Sequence, residues 1–210
     1  MLPKPSLKVV ILAGVWLVLF SFFTYGLLYA SIFVTNFHKT HPDDTLKIED
    51  VVISFFEKIT LPIKLAKLAR EEPDKELLMP IIDLKVSDIG DTWGAPRGEN
   101  GERKHEGQDI FAPRGTPVFS ATNGYVTRII SEKLGGNSVY VTGKGGIDYF
   151  YTHLDRFPKG LTVGDAVTTD TVIGFVGNTG NAETTPYHLH FGVYISRDEA
   201  IDPLPLMVDR

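Results

Sequence analysis

Cysteine is absent from the 210-residue chain, so neither a disulfide nor a thiolate metal ligand contributes to its fold or chemistry, and oxidising and reducing compartments suit it equally. Positive charge is scarce too. The 21 Lys and Arg against 26 Asp and Glu leave a net charge of −5, which argues against a nucleic-acid partner, since such partners demand a basic surface. No internal repeat or low-complexity stretch is present, which excludes solenoid and fibrous architectures. The H-E-x-x-H string of zincin proteases is missing as well, so a hydrolase built on this chain lacks their helix-borne carboxylate base. With 43% apolar residues, the chain can bury one modest core.

What it does have begins with an uncharged apolar run from Val9 to Val34. As a helix rising ~1.5 Å per residue, that run exceeds a hydrocarbon core of ~30 Å, and the expectation is a transmembrane anchor over residues 9–34. Lys4 and Lys8 precede it, whereas His38, Lys39, His41, Asp43 and Asp44 follow, so the positive-inside bias places residues 1–8 in the cytoplasm and the remainder outside. The competing reading is a signal peptide cleaved after Ala30; the run is longer than the ~7–15 residues of a signal core.

Residues 35–79 read as a helical tether. Ile48, Val51, Val52, Phe55, Phe56 and Ile59 recur at the helical period, with Asp43 or Asp44 as N-cap and an interruption expected at Thr60 and Pro62. A basic stretch from Ile63 to Arg70 follows, then a break at Glu71-Glu72-Pro73-Asp74. Through residues 45–70 such a tether packs on the downstream domain, on a second copy or on a regulatory partner, or it lies on a membrane surface. The sequence leaves these open.

From Trp93 the pattern changes to short alternating runs punctuated by glycine. Strands are expected at Val118–Ala121, Tyr125–Ser131, Ser138–Thr142, Ile147–His153, Val172–Val176 and Leu189–Ile195, with turns at Asn123-Gly124, Gly135-Gly136-Asn137 and Gly143-Lys144-Gly145-Gly146. The fold class is therefore mainly β, an antiparallel sheet domain over residues 80–210. Four of the six histidines fall in three of its segments: His105-Glu106-Gly107-Gln108-Asp109, Tyr151-Thr152-His153-Leu154 and His188-Leu189-His190. Histidines one residue apart on a strand share a face. His105 and Asp109, four residues apart, would be ~13 Å distant if extended, so a shared ion requires a bend, which Gly107 tolerates. Imidazoles plus a carboxylate are the donor types of a catalytic zinc.

These strings, H-x-G-x-D, Y-x-H-L and H-L-H-F in that order, together with Phe111–Val118 and Gly177-Asn178-Thr179-Gly180, resemble the LytM/lysostaphin-type zinc metallopeptidases, which cleave peptide cross-bridges of bacterial peptidoglycan. The resemblance spans roughly Asp91 to Tyr194. It implies a duplicated-hybrid-motif sheet whose groove carries one zinc, with His105, Asp109 and His190 as ligands and His153 and His188 as the unligated pair flanking the reacting water. It departs from that pattern in the longer segment Asn181–Tyr187 and in Gly192, where an acidic residue is common. The expected protein is thus a single-pass inner-membrane metalloendopeptidase facing the periplasm, with peptidoglycan peptide as substrate and D-alanyl to diaminopimelate cross-links as the favoured bond, an expectation supported by the Trp93-Gly94-Ala95-Pro96-Arg97 lead-in. The alternative is a relative that has lost catalysis and activates a cell-wall amidase; such a protein would show gaps in the five positions, and none is seen. A phosphocarrier on a similar sheet conflicts with the apolar run and with Asp109.

Overall fold

The computed structural model describes residues 7–40, 47, 59–98 and 100–210. The chain divides into two units, Met1–Ile59 and Thr60–Arg210. In the first, helix α1 (Leu7–Thr40) is one continuous rod. No proline interrupts it, and Pro42 follows closely in the sequence. Phe20, Phe22, Tyr25, Leu28 and Phe33 are all exposed. At 100° per residue they spread over about 220° of the helix circumference, wider than a single stripe. Among the described residues no helix is long and apolar enough to cross a membrane; the side chains of Leu7–Trp16, Val18 and Leu19 lie outside that description. The amphipathic pattern Ile48–Phe56 and its capping residues Asp43 and Asp44 also lie outside the described residues.

The next helix, α2, covers residues 59–68 and runs straight through Thr60 and Pro62, where an interruption was expected. Proline's fixed φ of about −65° is itself a helical value, which is how the described helix accommodates Pro62. Residues from Thr60 onward belong to the second unit, so the domain begins well before residue 80. The reason is packing: Leu77 and Met79 are fully buried in the core of the sheet domain.

That domain contains strands β1 (Leu77–Leu78), β2 (Pro96–Arg97), β3 (Arg103–Lys104), β4 (Gln108–Phe111), β5 (Pro117–Phe119), β6 (Gly124–Glu132) and β7 (Gly136–Gly143). It continues with β8 (Asp148–Arg156), β9 (Ala166–Val167), β10 (Val172–Val176), β11 (His188–Ser196), β12 (Glu199–Ile201) and β13 (Met207–Val208). The main sheet runs β12-β11-β8-β7-β6-β9, with β4 on β11 and β10 joining β5 to β8. Its pairings are antiparallel; β1 and β13 form a separate parallel pair, and β2 and β3 a separate hairpin.

All six expected strands are present. Those that were not anticipated are short or, like β4, break the period-2 rule. Alternation along β11 places Leu189, Phe191 and Val193 in the core, against Tyr149 and Tyr151 of β8, and turns His188 and His190 to the opposite face. Each fully buried side chain of this size contributes about 1.5–3 kcal/mol, so the floor beneath the histidines is firmly held.

Candidate metal centre and active site

Register brings the ligand types together. His190 on β11 stands directly opposite Asp109 on β4 and opposite Thr152 on β8, and His188 stands opposite Phe111. His105 joins them from the segment just before β4. Its Nε2 lies 2.8 Å from His190 Nδ1 and 2.9 Å from Asp109 Oδ1, and His190 Nδ1 is 3.1 Å from the same carboxylate oxygen. Among the described residues, His105, Asp109 and His190 form the group able to hold an ion.

The bend between His105 and Asp109 falls at Gly107, as the sequence implies, but for another reason. Its φ is not positive. A Cβ there would lie 2.6 Å from Phe191 O and 2.7 Å from His190 Cε1, so glycine is required by the close approach of the ligand ring.

The proton positions follow from the backbone. His105 Nδ1 donates to Thr92 O at 2.7 Å, His153 Nδ1 to Thr179 O at 2.9 Å and His188 Nδ1 to Pro186 O at 2.8 Å. A carbonyl only accepts, so each of these rings carries its proton on Nδ1 and presents a lone pair on Nε2. Asp109 completes the set with Oδ1, while Arg97 Nη2 donates to its Oδ2 at 2.6 Å. Burial works to raise the Asp109 carboxyl, but the His105 and His190 imidazoles packed against it outweigh that and hold the group well below the usual carboxylate range. Burial pushes the His190 imidazole down, against the opposing pull of Asp109.

Three electron-pair donors thus converge with at most one imidazole proton among them. Zinc bound at ~2.0–2.2 Å in tetrahedral geometry keeps its ligands about 3.3 Å apart, close to the spacing present here, so these residues fit that ion.

His153 reaches the same face by a distortion. A regular strand would turn it away from Thr152 and His190. Instead its φ is +61°, and the β7–β8 register slips between the Asn137–Leu154 and Val139–Tyr151 pairs, an extra residue that re-aims the ring. The left-handed conformation of a non-glycine residue costs about 1–3 kcal/mol and is held by its surroundings. One such hold is His153 N donating to Gly135 O at 3.0 Å. A second is the loop carrying Thr179, which approaches β7 so closely that a Cβ on Gly180 would lie 2.3 Å from Gly136 N. The His153 ring centroid then sits 5.0 Å from that of His188 and 6.0 Å from that of His190. Burial pushes its imidazole down to about 4.

All five expected site residues therefore line one groove. Glu106 lies at its edge, where Tyr194 Oη donates to it at 3.4 Å, apart from the ligand cluster. A Cβ on Gly192 would come within 3.0 Å of the Tyr194 ring and 3.1 Å of Glu106 O, so these neighbours crowd the space that a side chain there would need. Asn181, Ala182, Thr185 and Pro186 of the longer segment form part of the groove wall. Sequence reasoning missed Thr92, Arg97 and Gln108 as parts of the site. Gln108 is fully buried between Gly107 and Asp109, and no local sequence pattern marks that burial.

A β-groove of this kind, with a preformed two-imidazole, one-carboxylate pocket beside two further imidazoles, belongs to the metal-dependent hydrolases. Residues 103–203 match the pattern of peptidase family M23, and the chain belongs to that family. The catalytic domain of lysostaphin from Staphylococcus simulans is 32% identical with a TM-score of 0.50, the match covering 57% of this chain and 92% of that one. A zinc containing peptidase from Vibrio cholerae is 25% identical with a TM-score of 0.52, covering 64% and 40%. Among curated proteins, the L-Ala–D-Glu endopeptidase of Bacillus subtilis is 37% identical over 122 residues, 54% of this chain and 37% of that protein. The DD-carboxypeptidase/endopeptidase Mpg of Neisseria meningitidis is 36% identical over 94 residues, 45% and 21%. The matches thus span well under half the length of these curated relatives.

Proposed function

We propose that the chain is a membrane-anchored zinc endopeptidase that hydrolyses peptide cross-links of peptidoglycan, with D-alanyl to diaminopimelate links as its bond. The observation that carries this reading is the convergence of His105 Nε2, His190 Nδ1 and Asp109 Oδ1 within 3.1 Å, with the His153 and His188 rings alongside. His105, Asp109 and His190 hold the ion, which when bound supplies Lewis acidity that lowers the pKa of water toward ~7 and polarises the scissile carbonyl.

The remaining chemistry falls to two side chains. His153 and His188 each present an Nε2 lone pair. One takes the proton of the attacking water as the new C–O bond forms and delivers it to the departing amide nitrogen as the C–N bond breaks. The other, carrying a second proton taken up from solvent on Nε2, donates a hydrogen bond to the oxyanion and keeps that proton. His153 is neutral at pH 7, as an acceptor must be. The complete set of five favours catalysis over an amidase-activating role.

Anchoring through residues 9–34 is supported by the uncharged run and by the apolar side chains spread widely around α1. With Lys4 and Lys8 inside, this reading puts the sheet domain in the periplasm, held to the inner membrane by the segment that follows. The relative Mpg, a DD-carboxypeptidase/endopeptidase, supports the D,D assignment; the Bacillus subtilis relative, an L-Ala–D-Glu endopeptidase, acts on a different bond. Digestion of purified sacculi by the full chain in detergent with zinc, followed by muropeptide separation, tests the proposal. Loss of cross-linked dimers with matching gain of intact monomers is expected. Unchanged dimers, or products cut between L-Ala and D-Glu, contradict the bond assignment.

A further inference from the structure

Beneath the ligand cluster lies a buried polar lattice that the chemistry above does not use. Gln108 is fully buried on β4, and its amide has no spare capacity. Its Nε2 donates to Asp91 Oδ1 and to Asp202 Oδ1, both at 3.1 Å. Its Oε1 accepts from Thr92 N at 2.9 Å and from Thr92 Oγ1 at 3.0 Å. Both donors and both lone pairs are engaged, and reversing the amide would set two N–H groups against each other at Thr92. The hydroxyl of Thr92 is thereby fixed as a donor to Gln108. Its lone pairs are left for the Asp109 N–H, which donates to Thr92 Oγ1 at 2.9 Å. The carbonyl of the same residue accepts the Nδ1 proton of His105 at 2.7 Å.

One residue therefore grips two of the three ligands from opposite ends of the H-x-G-x-D segment. We infer that Thr92, keyed by Gln108, is the positioning residue of the metal site: its carbonyl fixes the tautomer of His105, and its hydroxyl fixes the backbone from which Asp109 projects. This rests on the zinc reading above. Without the carbonyl, the His105 ring can rotate or exchange tautomers. Without the hydroxyl, the Asp109 N–H loses its partner and Gln108 Oε1 loses one of its two. Groups that orient metal ligands in this way typically contribute 10- to 100-fold to affinity.

The test compares the full chain in detergent as wild type, Thr92→Val and Thr92→Ser, reading zinc affinity by chelator competition and melting temperature without metal. Thr92→Val should weaken zinc binding about 10- to 100-fold. Thr92→Ser, which keeps the hydroxyl, should restore affinity to near wild type. Ser120→Ala, a buried hydroxyl far from the ligands that donates to Thr122 O, serves as control and should leave affinity unchanged even if it melts earlier. Equal affinity in wild type and Thr92→Val, or an equal loss in the control, overturns the inference while the zinc site stands. A wild type that binds no zinc overturns both. Should the valine variant fail to melt cooperatively, side-chain nitrogen NMR of metal-free wild type decides: a proton on His105 Nδ1 is expected, and a proton on Nε2 refutes the positioning role.

Discussion

At the scale of single residues, the proposed mechanism separates groups that hold the ion from groups that move protons, and the two should respond differently to truncation. His153→Ala and His188→Ala are expected to retain zinc while losing about 10²-fold or more in kcat, roughly 2.7 kcal/mol of barrier, as acid/base or oxyanion groups do. Loss of zinc in either variant, measured by metal analysis, would move that histidine into the ligand set. A pH effect follows from the buried state of His153, whose imidazole is pushed down to about 4. In the unfolded chain the group titrates near 6.5, so between those values the unfolded state takes up a proton that the folded state refuses. The stability of the metal-free protein should therefore be full above about pH 6.5 and decline as pH falls toward 4, read as a falling melting temperature. His153→Gln should flatten that decline; an unchanged slope would mean that other groups dominate it. The five histidine and aspartate positions that line the groove were each visible in the sequence through a motif string. Thr92 and Gln108 were not, because their roles depend on contacts to Asp91 and Asp202 that no local pattern encodes.

At the scale of elements, glycine and a bulge do what regular strands cannot. Gly107→Ala should leave the sheet folded but displace His190, since the new methyl would lie 2.7 Å from its ring, and zinc affinity is the measurement that reports it. Unaltered affinity would show that the segment before β4 yields instead. The six short alternating runs of apolar and polar residues were legible as strands because each carries its own period-2 pattern. The hairpin of β2 and β3 and the pair of β1 with β13 were not, since two-residue strands carry no period and β1 pairs with a segment at the far end of the chain. The bulge at His153 was equally hidden. Tyr151-Thr152-His153-Leu154 reads as a plain strand end, and only the register slip against β7 shows why His153 shares a face with His190.

At the scale of the whole molecule, the uncharged segment and the sheet domain divide the proposed labour: one fixes location, the other reacts. A reporter active only outside the cytoplasm, fused after Arg210, should be active, and the protein should remain with membranes through high-salt washing. A soluble form starting at Ser31 would instead identify a cleaved leader. The domain's start was misjudged from sequence, because Leu77 and Met79 lie in too short a run to announce a strand, although both are wholly buried. The central claim, a zinc held by His105, Asp109 and His190, is tested most directly by the metal content of the purified full chain and its Asp109→Ala variant after equilibration with zinc and removal of excess. The account predicts one zinc per wild-type chain and a marked loss in the variant; full zinc occupancy in Asp109→Ala beside wild-type activity, or none in the wild type, would contradict it.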